Sequence, residues 1–436
     1  MPVMSRWTVR AGLLLLLAGV LWLGGEMPAQ ATPTTANNAP TWETAPPGNL
    51  VSLNANLGAD RAVIRVAPNG QLMTVFNRYN TAIGDKQPDP YYSLSNDDGQ
   101  TWSPPAPIYQ SGGTTSLYVT LTYDANNAAH AVWVENLALA YSKKSNWPGE
   151  PTYLSEPEDS PGALHPQLVS SGSNTLDAVW AEGSASTPRI YHKRSTNGGS
   201  SWTANTIPPS PYNASYPSLS IGPTGKLHMV WEDNLLDEFR VYYAEGTPAG
   251  STVSWSNPIL ISGSLTKARR PQVLVNGNSV MVTFTRRNSD NQQWIYLTEC
   301  TGQCLDANNW DNAGIISGQV VGVNTTDPTI LVSSMLQIGP CTFVYFHGTQ
   351  PSAPPPLNEN ELIWGVNSCD GWGALRDEVT LASARSLYPV LAASEDRLHL
   401  IYETNSTGSR QIFHMRALPP ADVNAPVFLP FVARSN

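Results

Sequence analysis

Seven aromatic residues, Phe76, Trp133, Trp180, Trp231, Phe284, Tyr345 and Tyr402, set a count along this chain that picks out residues capable of chemistry. Fifteen positions before each, or fourteen in the shorter units, stand Arg61, Tyr118, His165, Tyr216, Arg270 and Tyr388, with Asp327 at the irregular sixth unit. Two positions after each stand Arg78, Glu135, Glu182, Asp233, Arg286, His347 and Thr404. Guanidinium forks take carboxylates through paired hydrogen bonds, and aromatic faces take the apolar face of a sugar. The first set therefore has the chemistry to hold an anionic or polyhydroxylated ligand. In the second set, acids on units two to four oppose Arg or His on units one, five and six. The same residues have a plainer reading. The acids can cap turns or face water as a repeat consensus, the tyrosines and His165 can fill a channel neck, and Arg269 and Arg287 can be solvated charges.

The elements that would position both sets are repeats. "YPSLSIGPTGKLHMVWED" at 216–233 is echoed by "HPQLVSSGSNTLDAVWAE" at 165–182, "YPVLAASEDRLHLIYE" at 388–403 and "RRPQVLVNGNSVMVTFTR" at 269–286. Each reads as an alternating apolar strand, a Gly/Asn/Ser turn and a second alternating strand. "RIYHKRS", "RVYYAEG" and "QWIYLTE" follow as third strands, and Trp102, Trp147, Trp202, Trp255, Trp310 and Trp372 open the fourth. Four short antiparallel strands in each unit, with the aromatics 47 to 61 residues apart, predict an all-β chain folded as a β-propeller. Radial closure hides the sheet edges that would otherwise aggregate. The count favours seven blades, with six as the alternative. The seventh unit stops after its third strand, "RQIFHM", so "TWETAPPGNLVSL" at 41–53 is expected to supply the fourth and fasten the first blade to the last. The expected organisation is a signal peptide at 1–31, a linker at 32–41, a propeller at 42–417 and a Pro-rich tail at 418–436.

Composition supports this reading: 33 Gly, 37 Pro and 14 Trp with 13% charged residues fit a turn-rich all-β chain. Arg6 and Arg10, the run "AGLLLLLAGVLWLGG" and "AQA" at 29–31 follow the order of a secretory signal peptide. Export to the medium or the cell surface is expected, with a retained N-terminal anchor as the other reading. No later segment reaches the ~20 apolar residues of a membrane span. The ending "VFLPFVARSN" resembles short surface-sorting tags of secreted bacterial proteins. A formal charge of −10 argues against a nucleic-acid partner, which demands a basic face. Cys300, Cys304, Cys341 and Cys369 are expected to pair in an oxidising compartment, and three connectivities are open. Their irregular spacing does not suit zinc. The chain has no Gly-x-Ser-x-Gly, P-loop or His-Glu-x-x-His, and neither a cofactor nor a metal is expected.

Two stretches, "SNDDGQTW" at 95–102 and "STNGGSSW" at 195–202, fall between third and fourth strands, where the chain must turn tightly. There Asp97 can accept backbone N–H groups, Gly99 can take positive φ, Ser95 can bond locally and Trp102 can pack between blades. Ser95, Asp97, Gly99, Thr101 and Trp102 resemble the Asp-box, or BNR, repeat of the sialidase superfamily. Ser195, Asn197, Gly199 and Trp202 are similar to it with Asn in place of Asp. In "TECTGQC" and "NSCDGW" the Asp position holds Cys300 and Cys369, so the resemblance implies disulfides in place of two clamps, Cys300 to Cys304 and Cys341 to Cys369. At the level of blades it covers nearly the whole chain after residue 41. Such boxes specify a fold and leave activity to the site.

Sialidases hold the substrate carboxylate with three arginines, pair a tyrosine nucleophile with a glutamate, and use an aspartate as acid/base. The resemblance places Arg61 where that family's first arginine begins blade one, Arg270 as a second arginine, Tyr388 and Glu403 as the Tyr–Glu pair and Asp85 as the acid. The first blade reads "DRAVIRV" where the family has Arg-Ile-Pro, and Tyr216 with Glu232 is a twin of Tyr388 with Glu403. The main expectation is an extracellular propeller that binds a glycan or protein surface at the channel mouth. The alternatives are a sialidase-type exo-glycosidase, and other glycosidase or lyase chemistry on Glu135, Glu182 and Asp233.

Overall fold

The alternating segments fold as strands because each buries one face against the next blade. The computed structural model describes residues 40–419, apart from 53–56, 80–86, 157–161, 184–187, 206–212, 236–237, 288–292, 318–331, 349–361, 370–371, 373–376, 379–384, 396 and 406–408. The expected signal peptide, most of the linker, Asp85, Asp327 and the tail beyond residue 419 lie outside the described residues. Seven antiparallel sheets, each four strands deep, form the ring of a seven-bladed β-propeller. The innermost strands are Ala59–Val66, Ser116–Tyr123, Leu164–Ser171, Asn213–Ile221, Ala268–Asn276, Ser333–Ile338 and Ser386–Ala393. In blade 1 the sheet continues outward through Leu72–Tyr79, Pro88–Ser95 and Ala106–Pro107.

Blade 7 ends with Gln411–Leu418, and its outer edge is covered by Thr41–Trp42 and Asn49–Leu50 from the start of the described chain. The ring is thus closed by chain that precedes blade 1. All seven counting aromatics are at most 2% exposed. A buried cluster fills each junction between neighbouring blades. Between blades 7 and 1, for example, Ile64 and Phe76 pack with Ile401 and Ile412. Each such aromatic contributes roughly 1.5–3 kcal/mol by leaving water.

The tryptophans sit differently from the expectation. Fourth strands Ala106–Pro107, Thr152–Tyr153, Gly314–Ile315 and Asp377–Glu378 begin after Trp102, Trp147, Trp310 and Trp372, and Trp255 ends its strand, Thr252–Trp255. The reason is lateral packing. Trp102 meets His414, Trp147 meets Tyr92, Trp202 meets Tyr141, Trp255 meets His192 and Trp310 meets Tyr243, with ring centroids 5.0 to 5.4 Å apart. Each partner lies on the third strand of the preceding blade, so the tryptophan acts as a latch from turn to neighbour.

The two hairpins hold these latches in place. Ser95 Oγ donates to Asp97 Oδ1 at 2.8 Å and accepts from the Gly99 N–H at 2.8 Å, while Asp97 accepts from the Thr101 N–H at 2.9 Å. Around Ser195 and Asn197 the same three bonds recur at 2.9 Å each. Disulfides join Cys300 to Cys304 and Cys341 to Cys369, with Cα separations of 5.7 and 5.3 Å. The first closes the turn that carries Trp310, whose indole N–H donates to the Cys304 carbonyl at 2.9 Å.

Gly199 has φ +87°, and a Cβ there would collide with the Tyr141 hydroxyl of the preceding blade; Gly172, at φ +71°, has open space around it. Gly172→Ala is expected to cost about 1–2 kcal/mol, from left-handed strain alone. Gly199→Ala adds an overlap and is expected to cost about 2–4 kcal/mol in chemical denaturation. Equal losses for the two substitutions would overturn the latch role of this hairpin.

Candidate functional site

The first set of residues is singled out by the backbone. In six inner strands the pairing register slips by a bulge near the start, as between Asp60 and Val63 or Arg269 and Gln272. Within each bulge one residue takes left-handed φ: Arg61 (53°), Tyr118 (57°), His165 (51°), Tyr216 (51°), Arg270 (53°) and Tyr388 (52°). For non-glycine residues this costs about 1–3 kcal/mol each. Proline follows His165, Tyr216, Arg270 and Tyr388. A bulge leaves its extra residue outside the ladder, so the missing proline N–H costs nothing there. The bulge swings each side chain off the sheet and toward the axis of the ring.

Two carboxylates brace this strain across blade junctions. Glu403 Oε1 on blade 7 accepts the Arg61 N–H of blade 1 at 3.2 Å. Glu232 Oε2 on blade 4 accepts the Arg270 N–H of blade 5 at 2.8 Å, while its Oε1 takes the Arg269 guanidinium at 2.8 Å. Tyr388 and Glu403 therefore repeat the arrangement of Tyr216 and Glu232. Glu403 Oε2 also faces Arg410 Nε at 3.3 Å, and the charges of Arg61, Glu403, Arg270 and Arg410 all act on the Tyr388 hydroxyl.

All six left-handed residues line one cavity of about 190 Å³ at the channel mouth, with Gln167 and Gln272 deeper in. They touch in series around the rim. Arg61 lies over the rings of Tyr388 and Tyr118, at 5.4 and 4.7 Å. Tyr118 is 4.8 Å from His165, His165 stacks on Tyr216 at 3.5 Å, and Arg270 lies 3.7 Å over Tyr216. The two guanidinium groups thus rest on ring faces, and Arg270 Nε has no hydrogen-bond partner. Burial, and then the charges of Arg270, Arg61 and Arg269, push His165 well below the usual imidazole range, so the ring is neutral. Its Nδ1 is also without a partner. Burial raises the hydroxyls of Tyr216 and Tyr388, which stay protonated.

The second set lies away from this cavity. Glu135 accepts from Thr114, Ser116 and the Trp133 indole, and Glu182 from the Trp180 indole. Asp233 is 1% exposed, and His347 is fully buried against Tyr388. Thr404 is buried at the end of its strand. Arg78 lies over Tyr91 and Arg286 donates to the Thr266 carbonyl. The acids of blades 2 and 3 are thereby tied up within their own blades. Asp85 and Asp327 lie outside the described residues.

Counting from the aromatics passed over the braces. They stand directly after the aromatic only in units four and seven, and the next unit in the ring is in each case one whose rim residue is arginine. That pairing was a readable signal. Around Glu403 the arrangement extends to Asp60, which accepts from the Tyr79 hydroxyl at 3.0 Å and lies 3.8 Å from Arg410. Burial, then Asp60, pushes the Glu403 carboxyl up to about 8. Among the described residues no group of three or more His, Cys, Asp or Glu is placed to hold a metal, and no helix is long and apolar enough to cross a membrane.

No family model matches the chain, and no curated protein matches it. Solved structures do match. An ulvan lyase, from a family of polysaccharide lyases, aligns with TM-score 0.57 and 10% identity over 85% of this chain and 96% of that one. A protein of unknown function from Dyadobacter fermentans aligns with TM-score 0.49 and 13% identity, over 85% and 97% of the two chains. A Trypanosoma rangeli sialidase aligns with TM-score 0.47 and 12% identity, covering 86% of this chain and 60% of that one. At such identities the likeness is one of fold.

The Glu403 carboxyl carries a proton in the folded protein up to about 8, against an ordinary value of 4.5. The unfolded chain sheds that proton earlier, so the contribution favours folding at low pH and is lost as pH rises between these values. Glu403→Gln keeps the oxygen that accepts from Arg61 and removes the titration. The difference in Tm between about pH 5 and about pH 9 is expected to shrink by several degrees in the variant. An unchanged difference would show that Glu403 is ionised throughout.

Proposed function

We propose that the channel mouth binds a carboxylate-bearing sugar unit of an extracellular glycan, in an exported propeller of the sialidase-like type with Asp-box hairpins at 95–102 and 195–202. One observation carries this: Arg61 and Arg270 face one cavity, on either side of a run of aromatic rings, with their guanidinium groups on ring faces rather than on carboxylates. A guanidinium fork accepts a carboxylate in two parallel hydrogen bonds, and Tyr118, Tyr216 and Tyr388 offer faces to the sugar ring. The two braces, Glu232 and Glu403, spend an oxygen each on backbone N–H groups and so leave the mouth cationic. Disulfides and the lack of a membrane-crossing helix among the described residues agree with an extracellular setting.

Cleavage of that glycan by elimination is a second reading, favoured by His165. A guanidinium on the carboxylate makes the adjacent C–H more acidic. A neutral imidazole takes that proton, the C–O bond to the next sugar breaks as the double bond forms, and a tyrosine hydroxyl protonates the leaving oxygen. Hydrolysis by Tyr388, Glu403 and Asp85 has less support, because Glu403 is bonded to the Arg61 backbone and faces Arg410.

Calorimetric titration with uronate- and sialate-containing oligosaccharides and their neutral counterparts tests this. Binding is expected for acidic glycans alone, weakened at least about tenfold, or about 1.4 kcal/mol, by Arg61→Ala or Arg270→Ala. Equal affinity for neutral glycans would overturn the reading. A new ultraviolet absorbance from an unsaturated product, lost in His165→Ala, would add elimination to binding.

A further inference from the structure

Beneath the mouth the inner strands enclose a second cavity of about 320 Å³. Its lining shares Val63, Thr120, Gln167, Gln272 and Val332 with that of the mouth, so the two spaces adjoin along the ring axis. The lining is apolar residues, hydroxyls and amides, with one charged side chain, Arg65 of blade 1, and no Asp or Glu among the described residues. Arg65 stands four positions after Arg61 on the same strand and donates to the Ile64 carbonyl at 2.8 Å. A guanidinium has five N–H groups in a fixed fork, so donors remain on this side chain, which lines the cavity. From blade 4, the Ser220 hydroxyl lines the same cavity, buried and without a hydrogen-bond partner.

Arg65 is half-buried, open to the cavity it lines, and a charge held inside the ring is costly unless a counter-charge accompanies it. Burial lowers the Arg65 guanidinium to about 10, and it remains charged at neutral pH. With no carboxylate among the described residues of the wall, the counter-charge is to come from solution. We propose that the central cavity is a binding site for one small inorganic anion, held on the Arg65 guanidinium among hydroxyl donors such as Thr122 and Ser220. The residues that would hold the anion, Arg65, Thr122 and Ser220, do not line the sugar-binding mouth, and the ligand differs. The chemistry shared by its candidate occupants is a compact negative charge that accepts several hydrogen bonds, as chloride and phosphate both do.

The test uses the full chain, dialysed free of small anions and then titrated with chloride, bromide, phosphate or sulfate while Tm is followed. A saturable rise in Tm is expected, because a ligand that binds only the folded state stabilises it. A response to halides alone assigns a halide site, and a response to phosphate or sulfate an oxyanion site. Arg65→Met is expected to abolish the saturable component and leave only the gradual salt effect. Should that variant fail to fold, bromide-soaked crystals of the unaltered protein decide the matter by anomalous scattering. A bromide peak, or oxyanion density from a parallel sulfate soak, beside the guanidinium supports the site. Absence of both peaks at Arg65, or the same saturable response in Arg65→Met, overturns it.

Discussion

The ring depends on a few hydrogen bonds between Gln411–Leu418 and two short strands, Thr41–Trp42 and Asn49–Leu50. Without them blade 7 would present an open edge, and the first blade would be held to the last by the side chains of one junction and by direct bonds such as that from the Ala59 N–H to the Arg410 carbonyl at 2.9 Å. The crossing segment does more than complete a sheet. Asn49 donates to the Gly99 carbonyl at 3.0 Å in the hairpin of blade 1, and the Pro47 carbonyl accepts the Tyr402 hydroxyl at 2.7 Å in the core of blade 7. The same seam holds Asp98 against His399 at 3.1 Å and Trp102 against His414. Glu403 reaches Arg61 across this boundary, so the geometry of the mouth follows from the closure of the ring.

At the mouth, strain and charge are solved by the same residues. Turning a side chain inward requires a left-handed residue, which is costly for Arg, Tyr or His. Where that residue is arginine, a carboxylate of the preceding blade takes its N–H and offsets part of the cost. Neither acid occupies the fork of the rim arginine that it braces. Where the residue is tyrosine or histidine, ring stacking with its neighbours does the corresponding work. A rim built this way is preorganised, since its members touch before any ligand arrives.

Much of the fold was legible in the sequence, because blades repeat and their core aromatics recur at near-constant spacing. Phe76, Trp133 and the other five aromatics carry the register, and all are core residues. The inner ring was legible for the same reason, since a position counted from a core aromatic is a position in space. The tryptophans of the turns were read as strand starts because a large apolar residue before a strand looks the same whether it enters the sheet or latches onto the neighbouring blade. The second set was less readable. Glu135 and Glu182 have the residue type of a site, but the partners that occupy them, Thr114, Ser116 and the indoles of Trp133 and Trp180, come from turns and strand pairing. Arg65 gave no signal, because only its place in the cavity wall and the lack of an acid among the described residues there make it unusual.

The seven separate junction clusters have a consequence for how such a molecule changes. No single core unites the ring, and six of the blades each send one side chain to the rim from an equivalent register. A substitution at Tyr118 or His165 therefore alters one spoke of the recognition surface and its contacts with the adjoining rings, while the clusters at the more distant junctions are left intact. Selectivity in this architecture can drift letter by letter, each character read beside its neighbours, and the scaffold is largely indifferent to the word being spelled.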